Sequence, residues 1–91
     1  MIVYFVWAID EENKETPAGV WLSELRDICR EFGTNRYMKH RFGNGTPIIG
    51  IRYEKREDWS NNAKVMESGT LIGFNFRSVY LDRLKTLRTR K

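Results

Sequence analysis

The chain has one cysteine, two prolines and seven glycines in 91 residues. A single thiol excludes an internal disulfide, and with it a secreted scaffold held together by bridges. So little proline and glycine argues against a disordered or low-complexity chain. No apolar run approaches the roughly 20 residues that span a bilayer, so no membrane partner is expected. The one early apolar run, Met1 to Ile9, is short and meets Asp10-Glu11-Glu12 at once. It has no basic residue ahead of it, so it reads as a strand rather than a signal peptide, and the expected location is the cytoplasm.

His40 is the lone histidine, and no Cys or His partner stands near it at metal-ligand spacing. The acids of Asp10-Glu11-Glu12 with Glu15, and of Glu57-Asp58, read as solvated loop charge. Gly43-Asn44-Gly45-Thr46 lacks the Lys-Ser/Thr of a phosphate loop. Without a Ser-His-Asp, Cys-His or paired-carboxylate arrangement, neither an enzyme nor a metal nor a cofactor is expected. Cys29 lies on an apolar stripe and reads as a small core residue.

What the chain does have is 41% hydrophobic residues, enough to build one core without staples, so residues 1–91 are expected to form a single domain. Ile2 to Ile9 is β-branched and aromatic, a strand apolar on both faces. Asp10 to Gly19 reads as a loop. From Val20 to Phe32 the apolar positions Trp21, Leu25, Ile28 and Phe32 recur at helical spacing, with Gly33 suited to a left-handed stop. Thr34 or Asn35 can cap a second, short helix to about Phe42. Ile48 to Arg56 is a strand, with Ile49, Ile51 and Tyr53 on one face. Asp58 to Thr70 reads as a polar loop and Leu71 to Arg77 as a strand. Ser78 is expected to cap a last helix, Val79 to Leu87, before a basic tail at 88–91. The glycines Gly50 and Gly73 stand in similar apolar settings, Gly45 to Tyr53 and Gly69 to Phe76, and mark a bulge or a close backbone approach. The expected architecture is α+β, with about three antiparallel strands and two to three helices in the order β-α-α-β-β-α.

Charge is unevenly spread. Residues 1–31 hold seven acids and three bases, residues 32–56 one acid and six bases, and residues 83–91 five bases and no acid. Clustered positive charge suits a phosphate backbone or an acidic protein. Trp59 follows a charged run and opens a polar loop. Periodicity leaves it open between packing, a protein anchor and a base-stacking surface, whereas Trp7 and Trp21 fit the core.

The helix pair across Gly33 resembles a helix-turn-helix. Ile28 and Phe32 take buried positions of the first helix, Cys29 the small-residue position, Gly33 the turn, and Phe42 the end of the second helix against the core. Thr34 and Lys39 depart from the pattern, which puts an apolar turn residue and a buried aliphatic there. With strands on either side, the order is similar to that of winged-helix domains, and this resemblance implies a DNA-binding protein with a regulatory role. It places Asn35, Arg36, Lys39, His40 and Arg41 on or beside the helix that enters the major groove, where Arg, Lys and Asn match base edges. Arg52, Lys55, Arg56 and Lys64 on the wing, with Arg88, Arg90 and Lys91 in the tail, would take phosphates. The expected partner is double-stranded DNA, engaged by a possible homodimer. The alternative is a small phage or mobile-element accessory protein that binds and inhibits an acidic protein partner, anchored by Trp59, Asn61 and Asn62.

Overall fold

The apolar N-terminal run takes a central place in the sheet. The computed structural model describes residues 1–35, 46–60 and 62–81. Strand β1 (Val3–Asp10) lies between β2 (Glu15–Trp21) and β3 (Ile48–Arg56), and β4 (Val65–Ile72) pairs with the far side of β3. All three pairings are antiparallel, giving the order β2-β1-β3-β4. Strand β1 is hydrogen-bonded on both sides and carries apolar side chains on both faces of the sheet. Helix α1 (Leu25–Thr34) joins β2 to β3, and α2 (Phe74–Tyr80) follows β4. The helices pack on each other and on one face of the sheet. The class is α+β.

Two segments expected to be loops are strands, so the described residues hold four strands rather than about three, in the order β-β-α-β-β-α. The first is β2. Pro17 and Gly19 lower its intrinsic strand preference, but an edge strand tolerates both. It carries one extra residue where Phe5 pairs with Val20 and Trp7 with Pro17, and Gly19 takes φ +92 there. The connecting turn is held by Asp10, whose carboxylate accepts the backbone N–H groups of Glu12 at 2.9 Å and Lys14 at 3.0 Å. The second is β4, which begins at Val65 inside the expected loop. It ends at Ile72 because Gly73 takes φ +62. The alternation Ile72, Phe74, Phe76 looks strand-like, but after Gly73 the chain is helical. Phe76 and Tyr80, one helical turn apart, stack edge to face at 5.6 Å. Ser78 therefore lies inside α2 rather than at its start, its hydroxyl donating to the Asn75 carbonyl.

The first helix starts at Leu25, not Val20. Trp21 kept the helical spacing by coincidence of geometry: it reaches the same core from β2 and stacks on Phe32 with ring centroids 5.3 Å apart. Gly33 is not a left-handed stop. It is within α1, and a Cβ placed on it would clash with the hydroxyl end of the Tyr80 side chain. Glycine there lets Tyr80 lie close against α1 as placed. The second helix expected from Asn35 to Phe42 lies outside the described residues apart from Asn35, which is extended. Beyond Leu81, the rest of the expected last helix also lies outside them.

The core combines Val6 and Ala8 of β1, Ala18 of β2, Ile28, Cys29 and Phe32 of α1, Ile48, Ile51 and Tyr53 of β3, and Phe76 of α2. Strand β3 has the expected bounds. A register shift between Ile9 and Asp10 sets Ile48, rather than Ile49, in this core.

Asp10 gives the fold an acid-sensitive joint. The carboxyl is held below its ordinary value of 3.8, first by the Lys14 amide, and further by the Glu12 amide, the Thr46 side chain and the Lys14 charge, against desolvation. A depressed folded value means that stabilisation is present above the unfolded value and is lost as pH falls through the folded one. Thermal melts of the wild type should therefore decline on acidification through and below the ordinary carboxylate range. Asp10→Asn, which keeps an acceptor oxygen but no charge, should show a flatter decline.

Candidate functional site

Strand alternation divides the side chains between two sheet faces. Tyr4, Val6, Ala8, Ile51 and Tyr53 face the helices. Phe5, Trp7, Val20, Arg52, Glu54 and Arg56 face the other way, onto a surface no described helix covers. Trp7, expected in the core, is on this open face. The run Tyr4-Phe5-Val6-Trp7 is apolar throughout, so composition could not tell its two sides apart. The Arg52 guanidinium lies 3.8 Å from the centre of the Trp7 ring, and that of Arg56 lies 4.3 Å from Phe5. Arg52 also donates through Nε to Glu15 at 3.0 Å and approaches Glu54 at 3.7 Å, while Arg56 donates through Nε to Glu54 at 3.1 Å. The two arginines are stacked on aromatic rings and matched by two carboxylates, so this face carries little net charge.

The remaining expected contacts are dispersed. Lys55 points to the helix side and lines a cleft of about 290 Å³ with Tyr4, Ser23 and Glu24. Lys64 is exposed at the foot of the β3–β4 hairpin, where its carbonyl accepts the Glu57 N–H. Trp59 is 59% exposed in the same hairpin, so it is not a core residue. Asn62 is exposed beside it, its N–H donating to Ser60 Oγ, and Asn61 lies outside the described residues. Asn35 is exposed at the end of α1, its amide Nδ2 donating to Glu31. Arg36, Lys39, His40, Arg41, Arg88, Arg90 and Lys91 lie outside the described residues.

That division exposes a partition of charge. The described residues hold eight of the 16 Lys and Arg but 11 of the 12 Asp and Glu, a net of −3. The other 21 residues hold eight bases and one acid, so the whole surplus behind the chain's +4 lies in 36–45 and 82–91. The first follows the end of α1 at Thr34–Asn35 and the second the end of α2 at Tyr80–Leu81, and these two helices pack together, with the hydroxyl end of Tyr80 against Gly33. Each start point is a helix C-terminus, where the helix dipole favours cations. Segment-by-segment counting finds the two basic blocks in the sequence. The packing together of the two helices that precede them is a tertiary fact.

Nucleophile and proton-transfer chemistry find little support among the described residues. Burial pushes the Cys29 thiol up to about 12, which keeps it protonated. Burial and the 2.8 Å hydrogen bond to Glu67 push the Tyr53 hydroxyl up to about 12 as well. No described helix is long and apolar enough to cross a membrane. Comparison with protein-family models, curated proteins and solved structures gives no match.

Proposed function

We propose that this is a small nucleic-acid-binding protein that grips double-stranded DNA through residues 36–45 and 82–91, with a regulatory role. The observation that carries the reading is the charge partition in the sequence: residues 36–45 and 82–91 hold eight bases and one acid, the rest of the chain eight bases and 11 acids, and each basic block follows within two residues the end of a described helix. Arg36, Lys39 and Arg41, with Asn35 and His40, supply the donors that read base edges. Arg88, Arg90 and Lys91 supply phosphate contacts that set affinity. The winged-helix resemblance is consistent with this reading on its side-chain chemistry. The wing contacts assigned to Arg52 and Arg56 are no part of it, because those cations are already paired.

The test is a fluorescence-anisotropy titration on mixed-sequence duplexes at two salt concentrations. Binding should weaken with salt at a log–log slope of about −0.9 for each phosphate neutralised. No binding at low salt would overturn the reading.

A second reading is favoured by one observation, the 59% exposure of Trp59 in the connection between β3 and β4. An exposed tryptophan suits a protein anchor. A stoichiometric partner recovered by pull-down, unaffected by nuclease and lost in Trp59→Ala, would support that reading over the first.

A further inference from the structure

Among the described residues Asp10 is the one buried charged side chain, 1% exposed. Burying a carboxylate is costly unless donors match its oxygens. Here there are three: the backbone N–H groups of Glu12 and Lys14, and the Thr46 hydroxyl. The first two are local to the β1–β2 turn. The third joins the end of β1 to a residue two positions before β3. Across β1, Ile9 pairs with Gly50 and Asp10 with Ile48, so Ile49 is an extra residue in β3. Such a bulge bends the strand. Pro47 then has no N–H to give to a ladder, and it disfavours a helical backbone at Thr46. Sheet pairing therefore ends at Ile48, and the Thr46 hydroxyl fastens the chain beyond it to Asp10.

Thr46 is the first described residue after the basic block 36–45, and Asn35 is the last before it. Asn35 is fastened as well. Its backbone N–H donates to the Glu31 carbonyl at 2.9 Å and its side-chain amide to the Glu31 carboxylate at 3.2 Å. Both flanking residues of the block are thus hydrogen-bonded to acidic residues, Glu31 and Asp10.

We propose that Asp10, acting through the Thr46 hydroxyl, is a positioning residue for the basic block 36–45, holding its C-terminal boundary so that less chain has to be ordered when a polyanion binds. The inference rests on the nucleic-acid reading above. An acid thereby favours binding of an anion it does not touch. Direct electrostatics has the opposite sign, since a carboxylate repels a phosphate.

Two measurements on the full chain test it. In the first, Thr46→Val removes the hydroxyl at nearly constant shape and constant charge, and Thr46→Ser keeps it. Thr46→Val should bind mixed-sequence duplex about five- to tenfold more weakly, the order expected when one more backbone residue must be fixed on binding. Its salt slope should equal that of the wild type, because no phosphate contact is lost, and Thr46→Ser should bind like the wild type. In the second, with no ligand present, trypsin should cut after Arg36, Lys39 and Arg41 faster in Thr46→Val than in the wild type or Thr46→Ser, each folded by circular dichroism. A wild type that binds no duplex would overturn the nucleic-acid reading. A wild type that binds, with Thr46→Val binding equally well, would overturn the positioning role alone, and so would equal rates of cleavage.

Discussion

Phe32→Ala is expected to cost about 3–5 kcal/mol, the range for truncating a buried phenylalanine. Phe32 is fully buried, sits among the core residues of α1 and stacks on Trp21. It is the residue through which β2, α1 and the sheet share one core. Truncation removes the transfer energy of the ring and leaves a cavity that strands paired on both sides cannot collapse to fill. Single domains have only about 5–15 kcal/mol in all. The melting temperature of a domain this size falls roughly 4–8 °C per kcal/mol, so the loss is readily seen by circular dichroism. A change below about 1 kcal/mol would show that the α1–β2 contact does not organise the core.

Gly50→Ala should be the most damaging substitution of a single methyl group. Gly50 pairs with Ile9 on one side and Ile72 on the other. A Cβ built there would stand 2.9 Å from the Ile72 Cα and closer still to the Leu71 carbonyl oxygen. Both are backbone atoms in a hydrogen-bonded strand, so neither can rotate away, and β4 would have to separate from β3. Overpacking of this kind costs about 1–3 kcal/mol or more, outweighing the roughly 0.5–1 kcal/mol that alanine gains over glycine in regular structure. Gly69→Ala is the control. Its Cβ would meet the Tyr53 ring at 3.1 Å, and a side chain can yield. Urea midpoints should fall much further for the Gly50 variant. Equal midpoints would contradict the backbone-clash account.

These two positions also mark how far the fold is legible in the sequence. The α1 stripe of Ile28, Cys29 and Phe32, the bounds of β3, and the close approach at Gly50 can all be read from spacing and residue type. They depend on local periodicity or on a glycine with a local reason. Strand β2 cannot be read this way, because Pro17 and Gly19 disfavour a strand until an apolar neighbour offers an edge to pair with. The β4–α2 boundary is hidden for a related reason. Ile72, Phe74 and Phe76 alternate as a strand would, and only the positive φ of Gly73 turns the chain into a helix. Gly33 suits a helix stop in the sequence and is a helix–helix contact in the fold. The contact decides between them.

The candidate site divides in the same way. The basic blocks are visible by counting, but Glu15 is 37 residues from Arg52, so the neutralisation of the open sheet face belongs to topology. So does the packing together of the two helices that precede the basic segments. Exposed ion pairs such as Arg52–Glu15 add at most about 1 kcal/mol to stability. Their consequence here is for recognition, since they remove two arginines from the pool available to an anion.

The most direct measurement compares the salt dependence of duplex binding in three variants. One replaces Arg36, Lys39 and Arg41 by alanine, one replaces Arg88, Arg90 and Lys91, and one replaces Arg52 and Arg56. The second should flatten the log–log slope by up to about 2.7, or about 0.9 per phosphate contact removed, the first should weaken the preference among duplex sequences, and the third should leave the slope near the wild-type value. A slope unchanged in the second and flattened in the third would contradict the account, placing the DNA on the sheet face of Arg52 and Arg56.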